Sequence, residues 1–104
     1  MPKRNLILNS GIVKNLEKMG NQIRKARLRR NISVKLLAQQ AGISENTLYA
    51  IEKGAPTVSV GAYASVLFVL GLDADIQLIA LDEDGKKQFK EQNLKKRERA
   101  AKRK

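Results

Sequence analysis

The chain has 104 residues and lacks cysteine, histidine and tryptophan entirely, and aromatic residues make up only 4% of it. The absence of cysteine excludes a disulfide framework and a thiolate metal site. The absence of histidine removes the commonest general base and a common zinc ligand. No nucleophile–base–orienter set is visible among the serines, lysines and aspartates that remain. We therefore predict no catalytic residues, no metal, no cofactor and no enzymatic activity.

Long apolar runs are missing as well. No segment approaches the roughly 18 apolar residues of a membrane-spanning helix. Residues 1–4 include two basic side chains but are not followed by the apolar core of a signal peptide. The length fits one small domain with short tails. We therefore expect a cytoplasmic protein that does not enter a membrane.

Acidic residues are scarce: 21 Lys and Arg face 10 Asp and Glu, which gives a formal net charge of +11. Such a charge on a short chain predicts an anionic partner, first nucleic acid and second an anionic membrane surface. The charge is clustered in two basic zones, at residues 24–35 and in the last ten residues. The second zone includes Lys95, Lys96, Arg97 and Arg99. We predict that it is a disordered tail that adds sequence-independent phosphate contacts or binds an acidic partner, and a purely solubilising tail is the alternative.

Apolar periodicity and turn residues predict helices over most of the chain. From Gly11 onward, apolar residues recur every three or four positions, as on one face of a helix. They are Ile12, Leu16, Met19, Ile23 and Ala26. Ser10 is placed to cap this helix, and Asn31 is placed to end it.

Three further helices are predicted, each from a serine cap and a glycine stop. They run from Ser33 to Gly42, from Ser44 to Gly54 and from Ser59 to Gly71. For residues 76–81 we favour a helix over a strand, because the acidic residues just before them suit a helix start. Residues 85–92 allow one more short helix.

Residues 34–53 carry the most informative pattern, two short helices joined at Gly42. A tight turn between steeply crossed helices needs a residue that tolerates positive φ, which Gly42 does. Close crossing needs a small side chain, which Ala38 provides, and Leu48 and Ile51 would form the buried face of the second helix. The outward-facing residues are then Glu45, Asn46, Thr47, Tyr49 and Ala50.

This combination resembles the helix-turn-helix unit of Cro/C1-type repressors, the XRE family. The resemblance covers residues 23–72. It is carried by Ile23-Arg24-Lys25-Ala26-Arg27, by Leu37-Ala38-Gln39-Gln40-Ala41-Gly42-Ile43-Ser44 and by Thr47-Leu48-Tyr49-Ala50-Ile51-Glu52-Lys53-Gly54. It implies an all-α, five-helix lambda-repressor-like DNA-binding domain with a C-terminal extension and a basic tail. The expected division is a flexible N-terminus (1–10), the domain (11–72, with its turn unit at 34–53), a helical extension (73–93) and the disordered tail (94–104).

The resemblance also implies which residues meet double-stranded DNA. In such units the start of the second helix lies against base edges in the major groove, which assigns base reading to Glu45, Asn46, Tyr49 and Ala50. Phosphate contacts are assigned to Ser33, Lys35, Ser44, Thr47, Lys53 and Thr57. Alternatives remain open: the serines only cap, Glu45 only complements the helix dipole, and Tyr49 is a half-buried support. For Arg24 or Arg27 the family pattern favours a structural bridge to Glu52.

The segment after Pro56 is more apolar than one helix face can bury. Phe68 and Val69 are therefore candidates for a homodimer interface that would place two units on a palindromic operator, and the alternative is that residues 76–81 cover them. A narrower resemblance, to HipB-type antitoxins, rests on the motifs at 57–63, 66–67, 70–72 and 82–87 and on the basic tail. It implies a dimeric repressor that neutralises a HipA-like kinase toxin. The alternative function is a general basic RNA- or nucleoid-binding protein, which the low aromatic content disfavours.

Overall fold

The computed structural model describes residues 7–82 and contains five helical segments. Four are α-helices, α1 (Ser10–Arg29), α2 (Val34–Ala41), α3 (Glu45–Glu52) and α4 (Val60–Val69), and the fifth is a 3₁₀ helix (Asp73–Leu78). No strand occurs among residues 7–82. The predicted all-α fold of five helices is confirmed. The helix expected at 85–92 and the basic tail lie outside the described residues.

The N-terminal cap of α1 differs from the prediction by one residue. Oδ1 of Asn9 accepts a hydrogen bond from the backbone N–H of Gly11 at 2.7 Å, so Asn9 caps the helix and Ser10 is its first residue. The prediction that Ser10 caps α1 was wrong because Asn and Ser are equally good caps and the sequence does not choose between neighbours. At the other end, Asn31 adopts a φ of 53°, which ends the helix where predicted.

The serine and glycine signals of the next three helices are confirmed. Each serine hydroxyl accepts from the backbone N–H three residues later: Ser33 from Leu36 at 3.1 Å, Ser44 from Thr47 at 3.0 Å and Ser59 from Ala62 at 3.1 Å. These bonds satisfy amides that the first turn of a helix otherwise leaves without a partner. The starts of α2, α3 and α4 are therefore fixed by local chemistry.

One core joins the second half of α1 to α2, α3 and α4. Its buried members are Ile23, Ala26, Leu37, Ala38, Leu48, Ile51, Tyr63, Val66 and Leu70. Only part of the predicted apolar face of α1 is buried. Ile23 and Ala26 are buried, whereas Ile12 is 47% exposed. The prediction that Ile12 shares the buried face was wrong, because the first turns of α1 extend beyond the helices that cover its second half.

Residues 76–81 form no strand, as favoured from the sequence, but the helix there is a 3₁₀ helix that ends at Leu78. The segment is short, which is usual for 3₁₀ structure, and Leu72, which precedes it, makes no side-chain cap bond. Ile76, within this helix, is half-buried, while Leu78 and Ile79 are exposed. None of the helices described between residues 7 and 82 is long and apolar enough to cross a membrane.

Candidate nucleic-acid interface

The turn between α2 and α3 is built as its sequence predicts. Gly42 has a φ of 72°, and the backbone N–H of Ile43 donates to the carbonyl of Ala38 at 3.0 Å. A Cβ at Gly42 would meet nothing within 4 Å. The glycine is thus required by its left-handed backbone and not by lack of space. Ala38 is buried where the two helices cross.

The two faces of α3 are sharply different. Leu48 and Ile51 are completely buried, as predicted. Glu45 and Asn46, in the first turn, are exposed, and Tyr49 is 49% exposed. Because the buried pair fixes the rotation of the helix, its N-terminal polar side chains project into solvent.

A buried ion pair ties the end of α3 to α1. Nε of Arg27 lies 2.7 Å from Oε2 of Glu52, and Nη2 donates to Oε1 at 3.0 Å. A third donor, Nη1, reaches the carbonyl of Ile32 at 3.0 Å. The hydrogen bond to Glu52 raises the pKa of the Arg27 guanidinium, against the opposing effect of burial. The predicted bridge to Glu52 is confirmed, and it is made by Arg27 and not by the exposed Arg24.

A second contact between α1 and the end of α3 was missed by sequence reasoning. A Cβ at Gly20, in the middle of α1, would lie 2.5 Å from the backbone nitrogen of Gly54 and 2.6 Å from the carbonyl oxygen of Ile51. A Cβ at Gly54 would collide with the backbone of Leu16. The two backbones therefore touch through paired glycines. The available signal was Gly20 itself, since glycine inside a helix is unfavourable unless packing requires it.

The N-terminal turn of α3 is therefore exposed, and its C-terminal end is held against α1 by the ion pair and the glycine contact. A family model described as a helix-turn-helix domain matches residues 18–77, more than half of the chain. The chain belongs to the helix-turn-helix domain family. No curated protein matches it at a significant level.

The match of the helix-turn-helix domain spans both anchors of α3, because Gly20, Arg27 and Glu52 all lie within residues 18–77. It also includes the turn at Gly42 and all but the last residue of the 3₁₀ helix. The family supports double-stranded DNA as the partner. The narrower likeness to HipB-type antitoxins stays a prediction.

The base-reading candidates of the helix-turn-helix domain are not equally accessible. Glu45 and Asn46 are exposed and Tyr49 is half-exposed, but Ala50 is half-buried. With 49% of its surface exposed, Tyr49 fits both base reading and the alternative of a half-buried support. Ala50 offers at most the edge of its methyl group, which suits an apolar contact to a thymine methyl.

The phosphate candidates lie at the starts of α2 and α3 and after α3. The hydroxyls of Ser33 and Ser44 accept cap bonds, and the Ser44 and Thr47 hydroxyls are 2.8 Å apart. Capping is thus observed, and it occupies one backbone N–H in each first turn, that of Leu36 in α2 and that of Thr47 in α3. Lys35, Lys53 and Thr57 are exposed. Their contacts to phosphate remain predictions.

Tyr63 holds the loop that carries Thr57. The hydroxyl of this largely buried tyrosine donates to the carbonyl of Ala55 at 2.7 Å. Burial raises the pKa of the Tyr63 hydroxyl above its ordinary value of 10.0. Sequence reasoning missed this hydrogen bond, because a bond to a backbone carbonyl eight residues away leaves no sequence pattern.

We expect Tyr63→Phe to lower the free energy of unfolding by about 0.5–1.5 kcal/mol, the usual net value of one hydrogen bond. The matched control, Tyr49→Phe on the exposed face of α3, should change it by less than about 0.5 kcal/mol. Urea denaturation of both variants measures the difference. Equal losses would show that the Tyr63–Ala55 bond adds nothing.

The same variant tests the pKa of Tyr63. Because the folded pKa is raised, the neutral hydroxyl contributes stability that is fully present below about pH 10 and is lost as pH rises through the folded pKa. The wild type should therefore lose stability above about pH 10 more steeply than Tyr63→Phe. Parallel pH profiles would contradict the shift.

Proposed function

We propose that this protein is a sequence-specific, double-stranded DNA-binding transcriptional regulator that reads the major groove with the start of α3. The observation that carries the proposal is the exposed first turn of a helix whose opposite face, Leu48 and Ile51, is fully buried. A rigid helix with outward polar side chains fits the major groove, which is wide enough to admit it.

The chemistry of that turn suits base edges. The Asn46 amide matches the paired acceptor and donor of adenine N7 and N6, and the Glu45 carboxylate accepts from cytosine N4. Tyr49 and Ala50 suit a thymine methyl. The formal charge of +11 supplies the attraction to phosphates that any such complex needs.

We further propose that the protein acts as a two-fold symmetric dimer. A dimer on a palindromic operator would place two α3 helices about one turn of DNA apart and act as a repressor. Phe68, which is 71% exposed, is the stronger of the two interface candidates, because Val69 is half-buried against the core. The HipB-like motifs support a further role as an antitoxin that binds a HipA-like kinase toxin in the cytoplasm.

The decisive experiment begins with selection of bound duplexes from a random DNA pool, which should converge on one palindromic sequence. Asn46→Ala should then weaken binding to that sequence by about 1–3 kcal/mol and hardly affect random DNA. Asn15→Ala, an exposed asparagine in the first half of α1, is the matched control and should bind as the wild type does.

Two results would overturn this function. A selection that never converges, with equal affinity for every duplex and for RNA, would favour the general nucleic-acid-binding alternative. A loss from Asn46→Ala that is the same on selected and random DNA would remove direct reading of bases by α3.

A further inference from the structure

Negative charge is concentrated in the part of the chain that forms α4 and the 3₁₀ helix. Residues 54–85 contain no lysine or arginine and five acidic residues, so this stretch carries a charge of −5. The remainder, with 21 basic and five acidic residues, carries +16. Asp73 and Asp75, in the 3₁₀ helix, are both exposed. A strongly basic protein therefore presents an acidic surface beside α4.

The same part of the domain contains an open apolar cleft, between α1, α4 and the 3₁₀ helix. It has a volume of about 260 Å³, and its walls include Leu16, Val60 and Ile79. Val60 is 79% exposed and Ile79 is 69% exposed. An adjoining cleft shares Ile76 and Ile79 with it and includes Asp75. An apolar cleft with acidic residues at its edge suits an apolar side chain that is flanked by cations.

The chain leaves the described residues beside this cleft. Residues 78–81 form a β-turn, in which the backbone N–H of Leu81 donates to the carbonyl of Leu78 at 3.2 Å. A β-turn reverses the direction of the chain, so the chain continues next to the 3₁₀ helix. Asp82, the last described residue, is three positions beyond Ile79. Three residues span at most about 11 Å, so the following segment starts close to the cleft.

That following segment has the composition that the cleft suits. Residues 83–104 contain only two large apolar side chains, Phe89 and Leu94. Phe89 lies seven residues beyond Asp82, which gives it a reach of up to about 23 Å, about twice the distance back to Ile79. The residues around Phe89 include three cations, Lys86, Lys87 and Lys90.

We propose that residues 86–94 bind the cleft of their own chain, with the ring of Phe89 inserted between α1, α4 and the 3₁₀ helix. The cleft is large enough, since a cavity of about 150 Å³ accommodates benzene and this one has about 260 Å³. The lysines on either side of Phe89 then lie near the acidic residues of the 3₁₀ helix. This contact does not depend on how α3 meets DNA.

Tethering and charge both favour this segment over a second copy of the chain. A short linker holds its end at an effective concentration in the millimolar range, roughly a hundred times that of a separate molecule at tens of micromolar. Two copies that each carry +11 repel one another, whereas the basic segment and the acidic stretch of one chain attract. The occupant of the cleft is therefore expected to come from the same molecule.

The chain contains no tryptophan, so Phe89→Trp supplies a single fluorescent reporter in the full-length protein. We expect its emission to lie at a shorter wavelength than that of the matched control, Ala101→Trp, because the ring at position 89 is withdrawn from water. Quenching of its emission by acrylamide should be several-fold weaker than in the control. Both properties should be unchanged when the protein is diluted, because the contact lies within one chain.

A second substitution in the Phe89→Trp protein tests where the ring lies. Val60→Lys places a cation in the wall of the cleft and should make the tryptophan as accessible to acrylamide as it is in Ala101→Trp. Val13→Lys is the matched control, because Val13 is an exposed valine of α1 that is not part of the cleft. It should leave the emission unchanged, and circular dichroism should show both proteins folded.

Three results would overturn the proposal. The first is a tryptophan at position 89 that is as exposed as the one at position 101. The second is protection that disappears on dilution, which would identify another copy of the chain as the occupant. The third is equal quenching in the Val60→Lys and Val13→Lys proteins, which would place the ring outside the cleft.

Discussion

Arg27→Met is expected to lower the free energy of unfolding by about 3–5 kcal/mol, because it leaves the Glu52 carboxylate buried without its partner. The side chains of Arg27 and Glu52 are only 10% and 6% exposed, and their two hydrogen bonds are 2.7 and 3.0 Å long. Small domains are stable by only about 5–15 kcal/mol. The variant should therefore be close to unfolding at 37 °C, and urea denaturation at low temperature is the appropriate measurement.

Two further variants make this expectation specific to the pair. Arg24→Met removes an exposed arginine one turn earlier on the same helix and should change stability by less than about 0.5 kcal/mol. The double variant Arg27→Met with Glu52→Leu should recover most of the loss, since apolar residues of similar volume often replace a buried ion pair at little cost. A double variant that is no more stable than either single one would show that the bridge is not the cause.

The double variant also separates stability from recognition. The bridge holds the C-terminal end of α3, whereas the base-reading candidates lie at its start. If the bridge sets the angle of α3 on α1, the stable double variant should bind its selected DNA site less tightly than the wild type. Unchanged affinity would mean that the core alone orients the helix.

Local interactions explain why so much of the fold is predictable from the sequence. The cap at Ser44 is a bond to an amide three residues away, and the faces of α3 follow from the spacing of Leu48 and Ile51. Such features need no knowledge of the rest of the chain. The Arg27–Glu52 pair is a longer-range feature, and it was accessible only because the family resemblance suggested it.

The features that escaped prediction depend on which elements meet. Ile12 fits the apolar stripe of α1 as well as Ile23 does, but it lies beyond the helices that cover the stripe, so periodicity overstates the buried face. Residues 73–78 form a short 3₁₀ helix, and apolar spacing over so few residues does not distinguish it from an α-helix. The Gly20–Gly54 contact joins residues 34 positions apart (54 minus 20), and only the crossing of α1 over the end of α3 reveals it.

Gly20→Ala is the strongest test of that crossing, because general helix preference predicts the opposite result. Alanine is favoured over glycine inside a helix by about 1 kcal/mol. At Gly20, however, the added methyl would meet backbone atoms of Ile51 and Gly54 at 2.5–2.6 Å, and backbone cannot rotate away as a side chain does. We expect a net loss of about 2–3 kcal/mol in the free energy of unfolding.

Gly61→Ala in α4 is the matched control. A Cβ there would lie no closer than 3.9 Å to another group, the hydroxyl of Ser59, so only the helix preference acts. This variant should be more stable than the wild type by up to about 1 kcal/mol. Opposite signs for the same substitution in two helices would isolate the effect of the crossing. A Gly20→Ala protein as stable as Gly61→Ala would mean that α1 and α3 separate readily, and the end of α3 would then have the ion pair as its principal anchor.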